Sequence, residues 1–308
     1  MTVLHVSLFG RFDVRSGRQA LVGFHSRKVQ ELLCYLLLFR DHPHPRESLA
    51  SLLWPETHPD RSKSYLRKTL WQLQDSLHTQ AGLASGHLLV IESDWVELVS
   101  NIGIWLDVAE FERAFDSVRG VPGSDLDSQQ LQAMKGAVDI YRGDLLEGWY
   151  EDWCLYERER FQHMYLIMLD KLMGSCEARH NCEAGLMYGT LILRHDQARE
   201  RTHRRLMRLH YLAGDRTAAL RQYERCITAL AHELDVTPAQ RTIDLYEQIR
   251  ADQLGRPAVI AQGVPKEQSP LLPSVLRGLR DLRAVLADAQ CQLQRDIQVV
   301  ESALKGKQ

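Results

Sequence analysis

The stretch with the clearest chemical character is a predicted helix over residues 60–79, which carries four cations within eight residues. The residues of its charged face are Arg61, Lys63, Ser64, Arg67, Lys68, Trp71 and Gln72. The leucines of its opposite face are Leu66, Leu70, Leu73 and Leu77, at the spacing of an amphipathic helix. A helix fits the DNA major groove, where Arg, Lys, Ser and Gln donate to phosphates or base edges. In an isolated helix the same pattern is typical of a solvated face. The choice between a solvated face and a DNA-binding face therefore depends on the elements next to this helix.

Those neighbours predict three strands, three helices and a hairpin, in that order. Short β-rich runs at 3–8, 11–14 and 19–22 precede a helix over 27–40, which ends before the prolines at 43 and 45. A short second helix stops at Trp54-Pro55, and Asp60 is positioned to cap the third. Two further β-rich runs, 88–91 and 95–99, flank Glu92-Ser93-Asp94. This is the order of a winged helix-turn-helix, in which the third helix enters the groove and the hairpin is the wing.

From residue 107 onward the strand patterns give way to helical ones. The predicted helices span 107–117, 127–142, 154–180, 182–195, 199–213, 215–233 and 239–253. Ala184 and Tyr188 match Ala219 and Tyr223 at an offset of 35 residues, close to the period of about 34 of tetratricopeptide units. The fold class is therefore mainly α, with an N-terminal winged helix-turn-helix (α+β), an all-α tetratricopeptide-like domain and a C-terminal helix. The predicted boundaries are 1–106, 107–254, a proline-bearing linker over 255–273, and the last helix over 274–305.

Composition excludes several classes of protein. The chain has 308 residues, of which 44% are hydrophobic and 25% charged, as in an ordinary globular protein. Its longest apolar run is the eight residues 32–39, too short to span a bilayer, and its start lacks the features of a secretory signal. Its six cysteines include no C-x-x-C pair, which favours reduced thiols. We expect a cytoplasmic protein with no membrane partner.

The formal net charge of −2 does not by itself indicate a polyanion as partner. Residues 1–106 carry 11 Lys and Arg against 10 Asp and Glu. A nearly neutral domain still binds nucleic acid when its cations are clustered, because affinity follows local phosphate contacts.

Catalytic and metal-binding patterns are weak in this sequence. Cys176, His180 and Cys182 lie within seven residues, but no fourth zinc ligand is evident, and His42-Pro43-His44 lies in a turn. The fingerprints of serine hydrolases, zinc metalloproteases and P-loop nucleotide-binding proteins are absent. We expect no catalytic residue, no metal and no cofactor, and therefore no enzyme.

An ordered set of motifs resembles a known family over about 250 of the 308 residues. The motifs are Leu8-Phe-Gly-Arg-Phe-Asp-Val14, Arg27-Lys28, Leu52-Leu-Trp-Pro55, Ser64-Tyr-Leu-Arg-Lys-Thr-Leu-Trp-Gln-Leu73, Leu106-Asp-Val-Ala-Glu-Phe111, Tyr141-Arg-Gly-Asp-Leu-Leu146, Trp153, Glu157-Arg158, Gly214-Asp-Arg-Thr-Ala-Ala-Leu-Arg-Gln-Tyr223 and Glu233-Leu-Asp-Val-Thr-Pro238. Residues 1–100 resemble an OmpR-type winged helix. Residues 107–253 resemble the bacterial transcriptional activator domain that follows it in SARP-type activators.

The resemblance implies sequence-specific binding of duplex DNA, with RNA polymerase as a second partner of the helical domain. It places the charged face of helix 60–79 at the major groove, and it makes Arg46 a candidate phosphate contact and His87 a candidate contact at the base of the wing. The wing of the family opens Gly-Tyr, whereas this chain has Gly86-His87, so no tyrosine contact is implied. The alternative is a tetratricopeptide-type adaptor whose winged helix docks on protein.

The last helix predicts a homodimer. Leu279, Leu286, Leu293 and Val300 recur every seven residues, and Leu282 continues the seam, as in a coiled coil. A dimer joined through the linker would let both DNA-binding heads take the same orientation, which suits direct repeats. The alternative is a helix that folds back on the helical domain. The sequence does not reveal an operator or a small-molecule effector.

Overall fold

The computed structural model describes residues 4–17, 19–21, 24, 26–81, 88–99 and 103–254. Its strands are β1 (Leu4–Ser7), β2 (Asp13–Ser16), β3 (Gln19–Ala20), β4 (His44–Pro45), β5 (Leu89–Ile91), β6 (Trp95–Leu98) and β7 (Ile104–Leu106). Its α-helices are α1 (Arg27–Leu38), α2 (Arg46–Leu53), α3 (Pro59–Ala81), α4 (Asp107–Ser117), α5 (Ser128–Ile140), α6 (Asp152–Ala178), α7 (Cys182–His195), α8 (Glu200–Leu212), α9 (Arg216–Leu234) and α10 (Gln240–Arg250). A short 3₁₀ turn, Gly123–Asp125, lies between α4 and α5.

The first sheet has the strand order β3-β2-β1-β7. The pairs β1–β2 and β2–β3 are antiparallel, as the sequence predicts for consecutive short strands. Strand β7 is parallel to β1, with Leu4 opposite Ile104 and Val6 opposite Leu106. The sequence analysis missed β7. The pairing joins residues about one hundred positions apart, which no local periodicity records.

The second sheet is the predicted hairpin with one strand added. Strands β5 and β6 pair antiparallel around the turn at 92–94, which confirms the hairpin. Strand β4 pairs with β6, with His44 opposite Val96. The sequence analysis interpreted this segment only as a turn, because its two prolines cannot donate ladder hydrogen bonds. His44 is buried, and its Nε2 lies 2.8 Å from the Phe39 carbonyl oxygen.

The helices that follow confirm the mainly α fold class for the described residues. Side-chain caps begin three of them: Asp127 and Gln130 form a capping box at α5, Asn181 accepts from Ala184 at α7, and Asp215 accepts from Ala218 at α9. Helices α6 to α9 pack in succession, and α10 packs on α8 and α9. None of the helices in the described part of the chain is both long enough and apolar enough to cross a membrane.

The strands and the helical part share one core. The Phe9 ring lies 5.1 Å from that of Phe111, 4.8 Å from Tyr141 and 5.3 Å from Phe161. Leu8 accepts the backbone N–H of Leu146 at 2.8 Å, and Gly10, at φ +78°, donates to Asp144 at 2.9 Å. The segment that leaves β1 is therefore bound into the helical part. The sequence-predicted boundary near residue 106 marks a change of secondary structure within a continuous core.

A buried carboxylate completes this joint. One Asp107 carboxylate oxygen (Oδ2) accepts the N–H groups of Leu8 and Phe9 at 2.7 and 2.9 Å. Its other oxygen accepts from Val108 at 2.7 Å. Burial raises the pKa of Asp107 to about 6, although these backbone donors act in the opposite direction.

Candidate nucleic-acid interface

Helix α3 is held by a buried stripe of leucines. Leu66, Leu70, Leu73 and Leu77 are each at most 2% exposed. The helix begins at Pro59, whose fixed φ and missing N–H suit a first helical position. Asp60 therefore lies inside the first turn, and the predicted cap at that residue is wrong. Helix α2 packs on α3, with Leu49 and Leu53 buried.

The predicted DNA-binding residues of α3 lie on its solvent face. At about 100° per residue, Ser64, Lys68 and Trp71 form one row in the middle of that face. Arg67 flanks the row on one side and Arg61 on the other. All five are exposed, and Gln72 is half-buried. The structure thus brings together the set predicted from the sequence, and it leaves this face without a covering element among the described residues.

Lys63 lies at the edge of this face and is paired within the chain. Its Nζ donates to Oε1 of Glu47, on the first turn of α2, at 2.5 Å. The hydrogen bond raises the pKa of Lys63 and lowers that of Glu47. Both side chains are open to water, so the pair contributes little to folding. In the structure a carboxylate therefore holds the Lys63 amine, one of the cations that the resemblance places at the major groove.

Arg46 joins α2 to the turn of the hairpin. Its guanidinium donates to the Glu92 carbonyl at 3.0 Å, and its backbone N–H donates to the Asp94 carbonyl at 2.9 Å. The side chain is half-buried and is fixed at the N-terminus of α2, where the helix dipole favours an anion. Within the described residues, the other N–H groups of the guanidinium make no hydrogen bond. The exposed carboxylates of Glu92 and Asp94 lie at the same turn and would repel a phosphate.

Two aromatic side chains also reach solvent from α3. Trp71 is 64% exposed, so it is not packed into the hairpin. Tyr65 is 46% exposed, and its ring lies 5.8 Å from that of Trp54. The sequence analysis missed Tyr65. Its position between Ser64, on the solvent face, and Leu66, the first leucine of the buried stripe, was the available signal.

Helix α1 connects this interface to the helical part. The Arg27 guanidinium lies 3.6 Å from the centre of the Trp149 ring and donates to Glu31 at 3.2 Å and to Glu151 at 3.3 Å. A cation over an indole face is stabilised by the ring quadrupole. The predicted motif residue Arg27 is therefore a contact between the two parts of the chain.

Comparison with known proteins finds a matching family model and similar proteins. Residues 106–250 match the model of the bacterial transcriptional activator domain. Over 223 residues the chain is 23% identical to the transcriptional regulatory protein MoaR1 of Mycobacterium tuberculosis, covering 72% of this chain and 71% of MoaR1. MoaR1 of Mycobacterium bovis matches at the same identity over 235 residues, with the same shares covered. Residues 106–250 are thus similar to an activator domain, and most of the chain is similar to transcriptional regulatory proteins.

The fold of the chain has a solved counterpart. It matches the structure of Mycobacterium tuberculosis EmbR in complex with a low affinity phosphopeptide, with a TM-score of 0.61 and 20% identity. The match covers 82% of this chain and 66% of the EmbR chain. It supports a winged helix followed by a helical domain.

Two sets of predicted residues lie outside the described part of the chain. His87 precedes β5 within one undescribed segment. The proposed dimerisation residues, at 279, 282, 286, 293 and 300, belong to another.

As for metals, the described residues contain no group of three or more His, Cys, Asp or Glu placed to hold an ion. Burial raises the pKa of the Cys176 thiol, which disfavours the thiolate that zinc requires.

Proposed function

We propose that this protein is a transcriptional regulator that activates transcription by binding duplex DNA with the exposed face of α3 in the major groove. The observation that carries the proposal is the row Ser64, Lys68 and Trp71 with Arg61 and Arg67 beside it, exposed on a helix that packs against α1 and α2. In a winged helix this is the helix that enters the groove. Arg67 and its neighbours would supply specificity, because an arginine fork reads guanine by two hydrogen bonds.

The cations around Arg67 would position the protein on the phosphate backbone. Arg61, Lys63 and Lys68 are assigned to phosphates, and Arg46 binds a phosphate at the start of α2. Phosphate contacts contribute to affinity for every sequence and make it salt-dependent. The helical part would contact RNA polymerase, couple a signal to the winged helix or support oligomerisation. A dimer formed by the C-terminal helix would place two winged helices on direct repeats.

The experiment compares Arg67→Ala with Lys68→Ala on a DNA site selected from genomic fragments. Arg67→Ala is expected to cost about 1–3 kcal/mol on that site and to relax one base position. Lys68→Ala is expected to weaken all sequences alike and to reduce the salt slope by about 1. Arg119→Ala, an exposed arginine next to the end of α4, is the matched control. Unchanged affinity and slope in both test variants would show that α3 is not the reading helix.

The adaptor alternative has one observation in its favour. Trp71 and Tyr65 are large apolar side chains exposed on α3, and such residues are enriched where proteins dock. The ring of Trp71 also fits a thymine methyl. Trp71→Ala distinguishes the two: weaker binding to the selected site supports DNA contact, and unchanged DNA binding with loss of a protein partner supports the adaptor.

A further inference from the structure

A groove rich in arginine lies on the helical part of the regulator, apart from α3. It is bounded by α6, α8, α10 and the turn at 122–124. Four of its arginines come from α8, at positions 201, 204, 205 and 208. Residues three, four and seven apart lie on one side of a helix, so all four line the same wall. Arg199, Arg241 and Lys171 complete the set of cations.

Arg205 forms the floor of the groove and is neutralised there. Its side chain is only 10% exposed. It donates to Asp170 at 2.7 Å and, through two nitrogens, to Glu177 at 2.8 and 3.0 Å. Both carboxylates belong to α6, so one arginine side chain spans the groove from α8. Its role is structural, because removing it would leave two half-buried carboxylates without their hydrogen-bond donor.

The wall next to α10 is neutralised in part. Glu200 accepts the Ala239 N–H at 2.8 Å and the Thr242 hydroxyl, and it lies 3.6 Å from Arg204. This carboxylate is therefore committed to the start of α10. Lys171 donates to the Val121 carbonyl, which orients the amine and leaves its charge uncompensated.

The charges of the remaining arginines are not balanced by a carboxylate in close contact. Arg201 has a carboxylate only at 3.7 Å, from Asp170, and its side chain is 67% exposed. Within the described residues, Arg199, Arg208 and Arg241 have no carboxylate oxygen within 4.0 Å of a side-chain nitrogen. Seven cations face three carboxylates, so the groove holds a surplus of four positive charges.

We propose that this groove binds an acidic peptide segment of a partner protein. Arginine forks match carboxylates with two parallel hydrogen bonds, which supplies the charge complementarity. One arginine side chain reaches across the groove, so the groove is too narrow for a DNA duplex but wide enough for an extended peptide. The groove ends at Leu209 and Leu212, and Leu212 is 63% exposed. The segment that fits best therefore has several Asp or Glu followed by an aliphatic residue.

The test uses the full chain and a short fluorescein-labelled peptide rich in Asp and Glu with two leucines, followed by fluorescence anisotropy at physiological salt. The variant Arg201→Glu/Arg208→Glu is expected to lower affinity about tenfold or more, since it replaces two attractive charges with repulsive ones. Arg241→Glu, on α10, is expected to lower it in the same direction. Arg194→Glu/Arg221→Glu, two exposed arginines on α7 and α9, is the control with the same change of net charge.

Three outcomes would overturn the proposal. The first is that the wild-type chain does not bind the acidic peptide, or that it binds equally well a control peptide in which every Asp is replaced by Asn and every Glu by Gln. The second is that the control variant loses as much affinity as the groove variant, which would indicate general charge attraction. The third is that the groove variant loses DNA affinity while peptide binding is unchanged, which would make the groove a nucleic-acid contact. The proposal does not depend on the role of α3, because Arg67→Ala should leave peptide affinity unchanged.

Discussion

The ion pair between Glu47 and Lys63 should restrain DNA binding, and removing its carboxylate should strengthen it. Lys63 lies at the edge of the α3 face, and its amine is 2.5 Å from the Glu47 carboxylate. To contact a phosphate, Lys63 must leave that carboxylate, which then remains close to the negatively charged backbone. Glu47→Gln removes both penalties and keeps the shape of the side chain. The variant should fold like the wild type, because the pair is exposed to water.

The size of the effect follows from counterion release. One phosphate contact changes the slope of log affinity against log salt by about 0.9. At about 0.15 M salt this corresponds to about fivefold in affinity. Lys63→Gln should therefore weaken binding about fivefold at this salt and reduce the slope by about 0.9. Glu47→Gln should strengthen binding by up to a similar factor. In a chain that already carries Lys63→Gln, the gain from Glu47→Gln should be smaller, because the competition for the amine is gone.

The assay is anisotropy of a labelled duplex, titrated at several salt concentrations with the two single variants and the double variant. Glu159→Gln, an exposed carboxylate of α6, is the control with the same change of net charge. Thermal melting of each variant shows that folding is unchanged. The reasoning is refuted if Glu47→Gln binds no more tightly than Glu159→Gln, or if Lys63→Gln leaves the salt slope unaltered.

Three further predictions concern the joint and the C-terminal helix. Because folding raises the pKa of Asp107 to about 6, the contribution of this residue to stability should fall as pH rises through about 4 to 6. Between about pH 5 and pH 7.5 the loss should be about 1 kcal/mol. Urea unfolding of the wild type and of Asp107→Asn at both pH values should show this loss only in the wild type. Phe9→Ala should lower the free energy of unfolding by about 3–5 kcal/mol, since it empties a site enclosed by three rings, and a loss below about 1 kcal/mol would mean that the joint is not packed in solution. Leu286→Asp should dissociate the proposed dimer in sedimentation velocity; a dimer that persists would remove the coiled coil as its cause.

The joint also changes what is expected of a fragment containing only residues 1–106. The side chains of Leu8 and Phe9 are at most 4% exposed in the chain. Without residues 107–308, Phe9 would lose its three aromatic neighbours, and the N–H groups of both residues would lose the Asp107 carboxylate. We therefore expect this fragment to be unstable, and DNA-binding experiments are best made with the full chain.

The sequence by itself determined the helices and the face that each presents. Periodicity along one helix is local, so Leu66, Leu70, Leu73 and Leu77 indicate the buried side of α3 without reference to any other element, and the opposite side follows. The same reasoning located α4 to α10 within a few residues. It misplaced the start of α3 by one residue, because Pro59 at the first helical position was not considered.

The tertiary structure alone decided which distant residues meet. The motifs around Leu8, Asp107 and Leu146 were recognisable in the sequence, but only the fold shows that they form one joint, with β7 parallel to β1. Only the fold likewise shows that Glu47 lies beside Lys63, and that the arginines of α8 line one groove together with Arg241 of α10. Pairing of this kind depends on how elements pack, and residues far apart in the chain leave no common period from which the contact can be inferred.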